Sequence, residues 1–166
     1  ELDFKKVPKE SQRRDFEHFK AWMMTEKNKG YTRTYLMALH PEHALESHIH
    51  QAAVLQDLAL DLEKAQFEMM QAVQPTLYHY EKNKANIGKN YQVQEQVIEM
   101  ILSKIYERLD AYNFRMLLIY ADQYYWIAVP AHAEKLNKFC KKFEKQFKAE
   151  QLKIELFSMS DCLQST

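Results

Sequence analysis

Four histidines crowd one short stretch, His40, His43, His48 and His50, and two of them share a face with a carboxylate. On a helix, His43, Glu46 and His50 stand at i, i+3 and i+7, so two imidazoles and a carboxylate project from one side. That is a partial ligand set for zinc or iron, or the start of an acid–base site. The set is incomplete, and its spacing differs from H-E-x-x-H, in which the histidines lie four apart. Asp57, Asp61, Lys64 and Glu68 carry the same polar face onward. Such continuity favours a solvated stripe opposite a leucine stripe. A metal-dependent or acid–base enzyme centred on His43, Glu46 and His50 is therefore the alternative reading, and no cofactor is expected.

A second constellation is cationic. Lys138, Lys141, Lys142, Lys145 and Lys148 recur at helical spacing opposite a row of phenylalanines. With Lys135 they outnumber Glu134, Glu144 and Glu150 to give a net +3, whereas residues 41–70 carry six acids against Lys64, a net −5. The whole chain is neutral, with 23 basic and 23 acidic residues. Segregated charge of this kind can steer a partner by its field although the total is zero. Nucleic acid is a weaker reading of the same lysines, because no RNP, KH or zinc-finger signature accompanies them.

The third constellation is aromatic. Tyr120, Tyr124, Tyr125 and Trp126 bracket a predicted hairpin turn, and Tyr78-His79-Tyr80 stands elsewhere. Tyrosine and tryptophan dominate binding hot spots, and they are also ordinary sheet residues. The expected partner-binding set is Tyr120, Tyr124, Tyr125, Lys138, Lys142 and Lys145. Nucleophilic catalysis finds little support. His132 and Cys140, if on one helix, lie about 12 Å apart along its axis, beyond hydrogen-bond reach.

Gly30 and Gly88 are the only glycines in 166 residues, where an average chain would hold about a dozen. No dinucleotide fingerprint, Walker loop or nucleophile elbow can be written with them. Two cysteines, Cys140 and Cys162, make neither a disulfide framework nor a zinc set, and suit a reducing, cytoplasmic setting. The apolar runs Met116–Ala121 and Trp126–Ala131 are far too short to span a bilayer.

The elements that must position these groups follow from periodicity. Helices are predicted from about Pro8 to Lys29, with Gly30 closing the end, and from Pro41 to about Val73, where Pro75 stops or kinks the chain. Tyr31–Ala38 has strand composition, and its place in a sheet is left open. His79 to Asn90 reads as a long loop, and Asn90 as the cap of a helix reaching Tyr112. Phe114–Ala121 and Tyr124–Val129 are continuous apolar strands that fit a sheet covered on both faces. Ala131–Ala149 is a helix with Leu136, Phe139, Cys140, Phe143 and Phe147 inward, and Leu152–Leu156 a half-exposed strand.

These elements make one α+β domain over residues 1–166. A helical N-terminal half packs on a small antiparallel sheet, and the C-terminal part is a ββαβ unit. The expected function is that of a small, non-catalytic protein-binding domain, an adaptor or an inhibitor, with an acidic protein partner and no membrane.

Overall fold

Strands whose apolar residues run without interruption have two dry faces, because successive side chains point to opposite sides. Met116–Ile119 and Tyr125–Val129 are such runs, buried at every position, and helices cover both faces. The computed structural model describes residues 9–23, 35–39, 54, 58, 61–88, 91–132 and 135–159.

A 3-10 turn, Glu10–Arg13, precedes helix α1 (Phe16–Met23), and strand β1 (Tyr35–Leu39) follows. Two long helices come next, α2 (Leu62–Asn83) and α3 (Val93–Ala111). The chain then forms β2 (Phe114–Tyr120), β3 (Tyr124–Pro130), α4 (Leu136–Gln146), a 3-10 turn (Lys148–Glu150) and β4 (Lys153–Leu156). The four strands are antiparallel in the order β1-β3-β2-β4. This is the expected α+β architecture with its ββαβ C-terminal unit, and β1 joins the sheet as the neighbour of β3.

Parity along β2 and β3 divides the core. Met116, Leu118, Trp126 and Ala128 face α2 and α3, meeting Met69, Val73, Ile98, Ile101, Ile105 and Leu109. Leu117, Ile119, Tyr125, Ile127 and Val129 face the other way, onto Phe16 of α1 and Phe143 and Phe147 at α4. Each large apolar side chain so buried contributes about 1.5–3 kcal/mol relative to exposure. Two helical layers thus sandwich one sheet.

Several boundaries differ from the sequence expectation. The helix expected from Pro41 to Val73 does not run unbroken: Asp61, in extended backbone at ψ 94, caps α2 by accepting from the Lys64 N–H at 2.9 Å, and most of the expected helix before it lies outside the described residues. Pro75 does not stop α2, which continues to Asn83 and absorbs much of the expected loop. A proline deletes one helical hydrogen bond, and the burial of Met69 and Val73 on α3 offsets that loss. Gln92, not Asn90, is the cap residue of α3, and Asn90 lies outside the described residues. The last helix begins only at Leu136, after Lys135 in left-handed backbone, so His132 is not on it. Among the described residues no helix is long and apolar enough to cross a membrane.

Candidate protein-docking surfaces

Helix α4 turns Leu136, Phe139, Cys140, Phe143 and Phe147 to the sheet. Its opposite side leaves Lys138, Lys141, Lys142, Lys145 and, just past its end, Lys148 exposed. Among the described residues none of the five has a carboxylate partner. Two nearby acids are engaged with backbone N–H groups. Glu150 accepts the Phe16 N–H at 3.0 and 3.2 Å, capping α1 from across the molecule, and Glu144 accepts the Ile154 N–H at 3.3 Å. Lys138 with Lys141 and Lys142, and Lys145 with the same two, are like-charge pairs at i,i+3 or i,i+4. Each such pair destabilises the helix by a few tenths of a kcal/mol. Neighbours in the row lie about 5–6 Å apart, within the screening length of about 8 Å at physiological salt, so their fields overlap pairwise along a span of about 15 Å.

The other helical layer is built differently. Lys64 and Arg108 pair with Glu68, Lys84 with Glu81 at 3.2 Å, and Lys104 with Glu107 at 2.7 Å. An open groove runs between Glu68, Gln71 and Ala72 of α2 and Lys104, Arg108 and Tyr112 at the end of α3. Its ionic side chains already satisfy one another.

The hairpin tyrosines separate. Tyr125 is buried against Phe16, rings 5.3 Å apart and edge-on, and its hydroxyl accepts from Lys20 Nζ at 2.8 Å. Lys20 also lies over the Tyr125 ring at 4.6 Å and pairs with Glu17. Burial acts to lower the Lys20 pKa, but the bonds to Glu17 and Tyr125 outweigh it and the net shift is upward. These contacts tie the Lys20 ammonium to Glu17 and to the Tyr125 ring and hydroxyl. Tyr124 points to the opposite side, half-buried against the α3 layer. Burial, followed by the charges of Glu95 and Glu99, pushes its hydroxyl pKa up. Tyr120 packs edge-on against Tyr124 at 5.7 Å and donates to Glu155. The structure therefore brings Lys138, Lys142 and Lys145 together, pairs Tyr120 with Tyr124 on the other face of the sheet, and buries Tyr125. The signal for this division was present in the sequence, since neighbours on a strand face opposite ways.

His43, Glu46 and His50, with His40 and His48, lie outside the described residues. Among the described residues no group of three or more His, Cys, Asp or Glu could hold a metal ion. The Cys140 thiol is half-buried, and burial, with the Glu144 charge behind it, pushes its pKa up, away from nucleophilic use. Sequence reasoning missed one exposed surface. On α2, Phe67 is 61% and Tyr78 69% exposed. Their spacing opposite the buried Ala65, Met69 and Val73 would have shown it. In comparison with known proteins, the chain matches no family model, no curated protein and no solved structure.

Proposed function

We propose that the protein is a non-catalytic protein-binding domain, an adaptor or an inhibitor, whose α4 lysine face meets an acidic surface of its partner. The observation that carries this reading is that, among the described residues, the α4 lysines have no carboxylate partner. Lys138, Lys142 and Lys145 repel their own neighbours, while Glu144 and Glu150 are spent on backbone N–H groups. An arrangement that costs folding energy and holds a local field fits electrostatic recognition. Nucleic acid fits less well. Single-strand binders interleave cations with stacking aromatics, whereas Phe143 and Phe147 are buried beneath these lysines and Tyr120 and Tyr124 lie across the sheet. Free Cys140 suits a reducing, cytoplasmic setting.

The test sets the wild-type chain beside the variant K138E/K142E/K145E, each immobilised and exposed to extract from the source cells. The expected outcome is an acidic protein retained by the first and not by the second. Its association rate should fall as salt rises from 0.05 to 0.5 M, in steps of about that order. Equal retention by both chains, or retention abolished by nuclease treatment, overturns the reading.

A further inference from the structure

On α2 the residues opposite the core fall at spacings of three, four, three, four and three: Lys64, Phe67, Gln71, Gln74, Tyr78 and Glu81. This is the seam spacing of an antiparallel or parallel helix pair, and all six side chains are exposed. From Met69 to Tyr80 the chain carries no Asp, Glu, Lys or Arg. The exposed face of an amphipathic helix ordinarily carries charged and polar residues along its length, with few large apolar ones. Here charge is confined to the two ends of the seam, basic at one and acidic at the other.

The order of residues along the seam is self-complementary about its middle. Laid antiparallel on a second α2 across a two-fold axis between Ala72 and Val73, Phe67 meets Tyr78 of the copy and Gln71 meets Gln74. At both ends Lys64 meets Glu81. A parallel pairing would instead set Lys64 on Lys64 and Glu81 on Glu81. We propose that the α2 seam is an isologous interface, and that its occupant is a second copy of this chain, antiparallel and in this register. The inference is independent of the α4 surface. The aromatic pair supplies the apolar contact, counted twice by symmetry. The glutamines can exchange side-chain amide hydrogen bonds at the centre, and the terminal charges set direction and register. Lys64 and Glu81 each keep a weak neighbour on their own helix, Glu68 at 4.0 Å and Lys84 at 3.2 Å, and both stay solvated enough to take a second. A 22-residue helix is about 33 Å long. One pair of such faces is small beside a standard interface, so the dimer should be reversible and concentration-dependent.

Sedimentation equilibrium over a range of chain concentrations tests this. The wild-type chain should pass from monomer to dimer, and Phe67→Ser should weaken dimerisation on the order of a hundredfold, with circular dichroism unchanged. Lys64→Glu alone, and Glu81→Lys alone, should each weaken it about tenfold by setting like charges together at both ends. The double variant K64E/E81K should recover the wild-type constant. Because all three positions are exposed, none of these variants should disturb the fold. A wild-type chain that stays monomeric at about 1 mM overturns the proposal. So does a dimer indifferent to Phe67→Ser, or one in which the double variant is no tighter than the singles.

Discussion

Among the described residues, Asn113 at φ 60, Lys135 at φ 73 and Gln151 at φ 56 hold left-handed backbone without being glycine. Asparagine enters that region readily, while other side chains pay about 1–2 kcal/mol for it. Gln151 is exposed and its N–H closes the turn onto the Lys148 carbonyl at 3.1 Å. Gln151→Gly should therefore raise stability by about 0.5–1 kcal/mol, the strain relieved less the chain entropy glycine adds. Urea unfolding measures it, and no gain would mean that the turn carries no strain. Asp15 shows the opposite sign of local design. The His18 backbone N–H donates to its carboxylate at 2.9 Å, and the His18 ring meets the same oxygen at 2.6 Å. Those contacts, the backbone bond first, hold its pKa at about 2 against an ordinary 3.8. A depressed carboxyl contributes stability that is full above its unfolded pKa and is lost as pH falls through the folded one. Wild type should thus lose stability between about pH 5 and pH 2, and Asp15→Asn should lose less across that window while being less stable at neutral pH. Equal slopes in pH-dependent denaturation would sink the assignment. Contacts of this range are local in the sequence, although the helix expected from Pro8 runs through Asp15, where α1 in fact begins at Phe16. The Glu150 carboxylate on the Phe16 N–H, 134 residues away, is not local.

The elements most legible in the sequence are those whose pattern is strong enough to survive any packing. The phenylalanine row of α4 and the two continuous strands stand as the periodicity predicts, because burial alone selects them. Asp61 and Pro75 misled for a physical reason. Each is a local signal, a cap and a breaker, whose weight depends on what the neighbouring turns bury. The Asp61 cap prevailed, and the Pro75 break gave way to the core contacts on either side of it. Phe143 touches the rings of Phe16, Phe19, Phe139 and Phe147 at 4.8–6.2 Å and is 4% exposed. Phe143→Ala should cost about 3–5 kcal/mol, and Lys142→Ala almost nothing. The lysine face makes a sharper claim. Lys141→Glu puts a carboxylate three residues after Lys138 and four before Lys145, turning two repulsions into attractions, the second in the favoured orientation, against one new repulsion with Glu144 three residues on. It should stabilise the fold by about 0.5–1 kcal/mol, and in thermal unfolding a neutral or lower midpoint would show that the lysines are already screened or paired.

At the scale of the molecule, the sheet separates two working surfaces. The seam of α2 lies outside one helical layer and the lysines of α4 outside the other, with α1 fastened to the α4 side by Glu150 on the Phe16 N–H and by Gln146 Nε2 donating to the Arg13 carbonyl at 3.0 Å. Sequence could name both amphipathic helices but not that they back onto opposite faces, which depends on strand order. The separation has a consequence that either surface alone would not. A two-fold dimer through α2 leaves both α4 faces free and directed outward, so association with a second copy and with an acidic partner should be independent. K138E/K142E/K145E should dimerise with the wild-type constant once long-range repulsion from its added negative charge is removed, at about 0.5 M salt, where screening acts within about 4–5 Å. Phe67→Ser, monomeric, should still retain the acidic partner at low salt, with an unchanged association rate per site. It should lose only the gain that two linked sites give a partner able to engage both. Sedimentation of the triple variant and binding kinetics of the Phe67 variant decide this together. A loss of dimer in the first, or of per-site association in the second, would place both activities on one continuous surface that the sheet does not divide.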